Sequence, residues 1–81
     1  MPYHEAIFRF STEYAVSIHA ALSPELTEEV NPRSRTICRL ESDQVLLLKV
    51  EAEDIPALRA ALNMGLRLVN IAEEMQQIAR Q

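Results

Sequence analysis

The stretch "QVLLLKVEAEDIPALRAALNMGLRLVNIAEEM", Gln44 to Met75, changes its period partway along. Up to Ala52 the residues alternate: Leu46, Leu48, Val50 and Ala52 fall on one face, Val45, Leu47, Lys49 and Glu51 on the other. That is a strand pattern. From Asp54 the pattern becomes helical. Asp54 can cap a helix, and Pro56 costs little in a first turn, where no backbone N–H partner is needed. With about 100° of turn per residue, Ile55, Leu58, Leu62, Leu66 and Val69 lie within roughly 40° of the Leu62 direction. Met64, Ile71, Met75 and Ile78 lie within roughly 40° of the opposite direction, and Leu68 within roughly 60° of it. Arg59, Asn63, Asn70, Glu74 and Gln77 fill one flank between them. A helix apolar nearly all round is usually buried on two sides. A chain of 81 residues offers only one core. The first stripe fades after Val69, where Glu73, Gln76 and Arg80 take its place, and it is assigned to the core. The second runs on to Ile78 and is assigned to a partner.

Upstream, "HEAIFRF" also alternates, with Ala6, Phe8 and Phe10 against Glu5, Ile7 and Arg9. Ser11 or Thr12 can cap a following helix, with Glu13 in its first turn. Its inward stripe is Tyr14, Ile18, Ala21 and Leu22, running to about Ser23. There Pro24 stops it or starts one further turn to about Glu29. "EVNPR" is a loop. "RSRTICRL" then sets Thr36, Cys38 and Leu40 against Arg33, Arg35, Ile37 and Arg39, and "ESD" makes the turn into the Gln44 strand.

The order is therefore β-α-β-β-α, an α+β fold over residues 1–81 as one domain. A right-handed crossover plus a hairpin favours sheet order 1-3-2, antiparallel throughout, with both helices on one face. The other face stays open, and alternation puts Arg9, Arg33, Arg35, Arg39 and Lys49 on it, five of the eight basic residues. Ile7, Ile37, Val45 and Leu47 share that face. It reads as a dimer seam with a cationic rim, as a resting place for a nucleic-acid backbone, or as a wet sheet with cross-strand pairs to Glu5, Glu41 and Glu51.

The 48% hydrophobic content calls for a folded chain. A single cysteine, Cys38, allows no internal disulfide and no cysteine-built zinc cluster. With no basic start or long apolar run at the N-terminus and no stretch of membrane length, the expected location is the cytoplasm, away from membranes. A net charge of −4 argues against a free-standing nucleic-acid binder.

Chemistry is poorly represented. Cys38 points inward while His19 sits on a helix flank and His4 near the N-terminus, which makes a poor thiol–imidazole pair. Two histidines and scattered carboxylates have no metal-ligand spacing. The only glycine, Gly65, lies mid-helix, so no loop cradles phosphate; it either admits the close approach of another helix or is simply tolerated. Tyr3, Phe8, Phe10 and Tyr14 point mostly inward, and no base-stacking platform is presented. No catalytic residue, cofactor or metal is expected.

"FRFSTEYAVSIHAALSPE", Phe8 to Glu25, followed by "VEAEDIPALRAALNMGLRLVNIAEE", Val50 to Glu74, resembles the small Pcc-type (LAGE/CTAG-like) subunit of the KEOPS complex. The likeness spans about residues 6 to 75. Its most specific piece is "AEDIPALRAALN", with "ALSPE" as a second anchor. Where relatives carry a small residue, an aromatic and often a tryptophan, this chain has Met64, Gly65 and Leu68. The resemblance implies a non-catalytic subunit that dimerises and holds the threonylcarbamoyl-transferase subunit of KEOPS, which modifies an adenosine of certain tRNAs. Met64, Leu68, Ile71, Met75 and Ile78 would then contact the transferase, and Ile7, Ile37, Val45 and Leu47 the second copy. Arg9, Arg33, Arg35 and Arg39 would be placed to meet tRNA. The alternative from the residues alone is a stand-alone small RNA-binding module using the arginine-bearing sheet.

Overall fold

The computed structural model describes residues 4–28 and 33–79. Five elements follow in order: β1 (His4–Ser11), α1 (Ala15–Glu28), β2 (Ser34–Ser42), β3 (Val45–Ala52) and α2 (Ile55–Ala79). Residues 29–32 of the loop expected over 29–33, Tyr3 and Arg80 lie outside the described residues.

The sheet has the order β1-β3-β2, and both pairings are antiparallel. β1 runs against β3 without interruption, from His4 opposite Ala52 to Ser11 opposite Val45. β2 matches β3 from Ser34 opposite Ala52 as far as Leu40, then shifts register by a bulge between Leu40 and Ser42. Alternation holds as read. Leu46, Leu48, Val50 and Ala52 are fully buried under the helices. Opposite Leu48 stand Phe8 and Cys38 on the same face, while Ile7, Lys49 and Ile37 form a row on the other.

Thr12 organises the entry to α1. Its Oγ1 accepts from the Tyr14 N–H at 3.2 Å, and its carbonyl from the Ala15 N–H at 3.3 Å. The helix begins at Ala15, so Glu13 belongs to the turn before it and not to its first turn. Pro24 does not end α1, which continues to Glu28. Proline leaves the Ala20 carbonyl without a helical donor, and Ala20 is exposed, so water can serve it. The buried line of α1 is Ala15, Ile18 and Leu22, and Ala21, expected inward, is exposed.

Asp54 caps α2 as expected. Its Oδ1 accepts from the Ala57 N–H at 2.8 Å, and its carbonyl takes the first helical bond, from the Leu58 N–H, at 3.0 Å. The helix is rotated from the expected setting. Its buried residues are Ala61, Gly65, Val69 and Ala72, a line roughly 60° around the axis from Leu62. Leu58, Leu62 and Leu66 are half-buried beside it, and Ile55 is exposed. The cause is steric. A Cβ on Gly65 would stand 3.0 Å from Cδ2 of Leu48, so the helix seats its smallest side chains directly on the sheet. Gly65 thus admits the close approach of the sheet and not of another helix.

Candidate protein-docking surface

Because a small-residue line faces the sheet, the larger apolar side chains of α2 are pushed to its flanks. On the flank toward α1 they form a groove of about 170 Å³, lined mostly by apolar surface. Leu68, Ile71 and Met75 supply it from α2, Ala21 and Leu22 from α1, and Glu25 and Gln76 give it polar groups. Ile71 is 47% exposed and Met75 64%.

The five residues assigned to a partner therefore divide. Leu68, Ile71 and Met75 line the groove. Leu68 is half-buried and packs on the core with Val69 and Ala72, so it belongs to both. Met64 is half-buried outside the groove lining, and Ile78 lies beyond it, 69% exposed. The contributions of Ala21, Glu25, Ala72 and Gln76 were not foreseen. A helical wheel shows which residues share a face but not which neighbouring helix that face meets.

The open sheet face carries the expected side chains in a different condition. Ile37, Val45 and Leu47 are half-buried, and only Ile7 among the four expected seam residues keeps a large exposed area. Arg9 donates through Nε to both carboxylate oxygens of Glu41, at 2.9 and 3.1 Å. Lys49 lies 3.3 Å from Glu51 and 3.7 Å from Glu5. The face is laced with the pairs to Glu5, Glu41 and Glu51 that a wet sheet would have.

Arg33 departs from the expected arginine set. It precedes β2, and its guanidinium pairs with the Asp54 carboxylate at the start of α2. The hydrogen bond and charge of Asp54 raise the Arg33 pKa, and the same bond, followed by that from the Ala57 N–H, lowers that of Asp54. Arg35 and Arg39 have no ion-pair partner among the described residues. They are the cations of this face that remain open to a phosphate.

Cys38 is half-buried on the helix side of the sheet, and burial pushes its thiol pKa up, opposite to what a nucleophile needs. The His19 ring is engaged elsewhere, its Nε2 3.3 Å from Ser23 Oγ. Among the described residues no three His, Cys, Asp or Glu side chains group as metal ligands, and no helix is long and apolar enough to cross a membrane.

The structure is thus a small α+β domain with an apolar groove between its two helices. The family model described as transcription factor Pcc1 matches residues 3–77, and the chain belongs to that family. It is a family of KEOPS complex subunits, non-catalytic members of an assembly. Searches of curated proteins and of solved structures gave no match.

Proposed function

We propose that this chain is the dimerising scaffold subunit of KEOPS, of the LAGE/CTAG-like kind. It holds the threonylcarbamoyl-transferase subunit while tRNA receives threonylcarbamoyl-adenosine, and it works in the cytoplasm. The observation that carries the reading is the groove in which Leu68, Ile71 and Met75 stand with Ala21 and Leu22. Amphipathic helices commonly dock in such grooves through apolar anchors.

Magnitudes bear on how firmly it holds. Complete burial of an isoleucine or methionine contributes about 1.5–3 kcal/mol. Ile71 and Met75 in the groove have about half to two thirds of that still available, about 2–3 kcal/mol together, with a similar gain from the partner's side chains. Association costs about 4–15 kcal/mol in lost freedom. The groove alone therefore supports a modest contact, and further contacts strengthen it in the assembled complex. Titrating the transferase subunit against the chain and against Met75→Asp tests the reading: the substitution should remove binding and leave the fold.

A second role within the same complex is favoured by Arg35 and Arg39, which lack ion-pair partners among the described residues and share the open face. They would add phosphate contacts once the complex holds tRNA. A stand-alone RNA-binding module has less support, because the net charge is −4 and Arg9 is already paired with Glu41.

A further inference from the structure

The groove between α1 and α2 carries one charged side chain, Glu25 of α1, in a lining that is otherwise apolar or, at Gln76, uncharged. Glu25 is exposed, and among the described residues it has no ion pair and no side-chain hydrogen bond. Its own helix offers no counter-charge. α1 holds no lysine or arginine, and the positions three and four residues before Glu25, from which a helical pair could form, are Leu22 and Ala21.

The place of Glu25 on α1 makes that carboxylate unfavourable in the free chain. It lies in the last turn, where the carbonyl ends of the peptide dipoles carry partial negative charge and a cation is the favoured neighbour. No basic residue occupies that turn. A cation that enters the groove meets both the carboxylate and the helix end, beside apolar walls that hold water back and leave the attraction less screened. We propose that Glu25 is the specificity-determining residue of the groove. Its occupant is an amphipathic helix that fills the groove with apolar side chains and sets a lysine or arginine against Glu25. The proposal rests on the docking reading above and names what the groove selects.

The two walls give the occupant a direction. Leu68, Ile71 and Met75 make the α2 wall, and they span roughly 10 Å along that helix, room for about two turns of an occupying helix. Glu25 belongs to the α1 wall. A helix lying between two others buries its apolar stripe in the groove and lays one flank over each neighbour. The cation therefore belongs on the flank over α1. Turning the occupant end for end moves that flank over α2, where the groove lining has no carboxylate. Apolar anchors alone accept either direction, whereas the single carboxylate distinguishes them. An acidic residue on the α1 flank is rejected, since it would face Glu25 and the negative end of α1 together.

Titrating the transferase subunit of KEOPS into the full chain at several salt concentrations tests the selection. Wild-type affinity should fall as salt rises. Glu25→Gln should weaken binding about three-fold at low salt and flatten that dependence. Glu25→Lys should weaken it about ten-fold or more, yet melt no lower than wild type, because a cation suits the end of α1. Glu74→Lys makes the same change of net charge at an exposed position outside the groove lining, and should bind within about two-fold of wild type. Glu25→Lys binding as tightly as wild type, or a loss matched by Glu74→Lys, would overturn the proposal. So would self-association that Glu25→Lys abolishes while transferase binding persists, which would give the groove to a second copy. Met75→Asp separates this from the docking reading. Binding lost in Met75→Asp but kept in Glu25→Lys sinks the selection alone, and binding kept in Met75→Asp sinks the docking itself.

Discussion

Gly65 of α2 sits directly on Leu48 of β3, so that a Cβ added to the glycine would stand 3.0 Å from Leu48 Cδ2. Alanine at 65 would gain about 1 kcal/mol of helix propensity. It would also press on a side chain that is fully buried and has little room to yield. Steric cost should win, and Gly65→Ala should lower stability by about 1 kcal/mol, a fall of about 4–8 °C in Tm. Leu48→Ala should cost about 2–5 kcal/mol by its cavity. In that background the same Gly65→Ala should become stabilising, because the opposing methyl is gone. Denaturation of the four chains in a double-mutant cycle measures this coupling, and additivity would show that the contact does not govern the helix setting.

The groove residues should separate fold from binding. Ile71→Asp and Met75→Asp place a charge on exposed positions and should change stability by no more than about 0.5 kcal/mol, while transferase binding falls below detection. Leu68→Asp should behave differently. Leu68 packs on the core from its half-buried place, so a carboxylate there should cost stability as well as binding. Circular dichroism melts beside a binding titration would show both effects. Loss of fold in Met75→Asp would assign that side chain to the core.

The start of α2 should make the chain acid-sensitive in a defined window. Asp54 is held below its ordinary pKa by Arg33 first and the Ala57 N–H second. A carboxylate lowered by folding contributes stability that is fully present above its unfolded value of about 4, and is lost as pH falls through its lowered folded value. The wild-type Tm should therefore drop more steeply below pH about 4 than that of Asp54→Asn, which has no proton to take up there. Parallel curves would mean the cap carries no linked proton.

Cys38 should be a slow thiol. Burial raises its pKa and limits access, so alkylation at neutral pH should be well below the rate of the denatured chain and should speed up on unfolding. Equal rates with and without denaturant would place Cys38 at the surface.

Neutralising Arg35 and Arg39 should leave transferase binding intact and lower the salt dependence of tRNA binding by the assembled complex. The slope of log affinity against log salt should fall by about 1 for each phosphate that the protein no longer neutralises. An unchanged slope would remove tRNA from the roles of this face.

Strand order and strand faces were legible because a period of two admits only two assignments. Once Leu46, Leu48, Val50 and Ala52 face the core, Lys49 and Leu47 cannot. The setting of α2 was harder to read. Hydropathy gives weight to Leu58, Leu62 and Leu66, yet the helix packs on Ala61, Gly65, Val69 and Ala72, because closeness to the sheet depends on small size. Large apolar residues on both flanks then look like two faces when they are the shoulders of one. The groove was half legible for the same reason, its α2 side from periodicity and its α1 side only from the packed pair. Arg33 was misplaced because its partner, Asp54, lies 21 residues further on, beyond any local pattern.

The most direct test of the account is calorimetric titration of the KEOPS transferase subunit into the full chain, repeated with Met75→Asp after its melt has been matched to wild type. Saturable binding by the wild type and none by the folded variant is the predicted result. Equal binding by both would show that the transferase does not use the groove between α1 and α2.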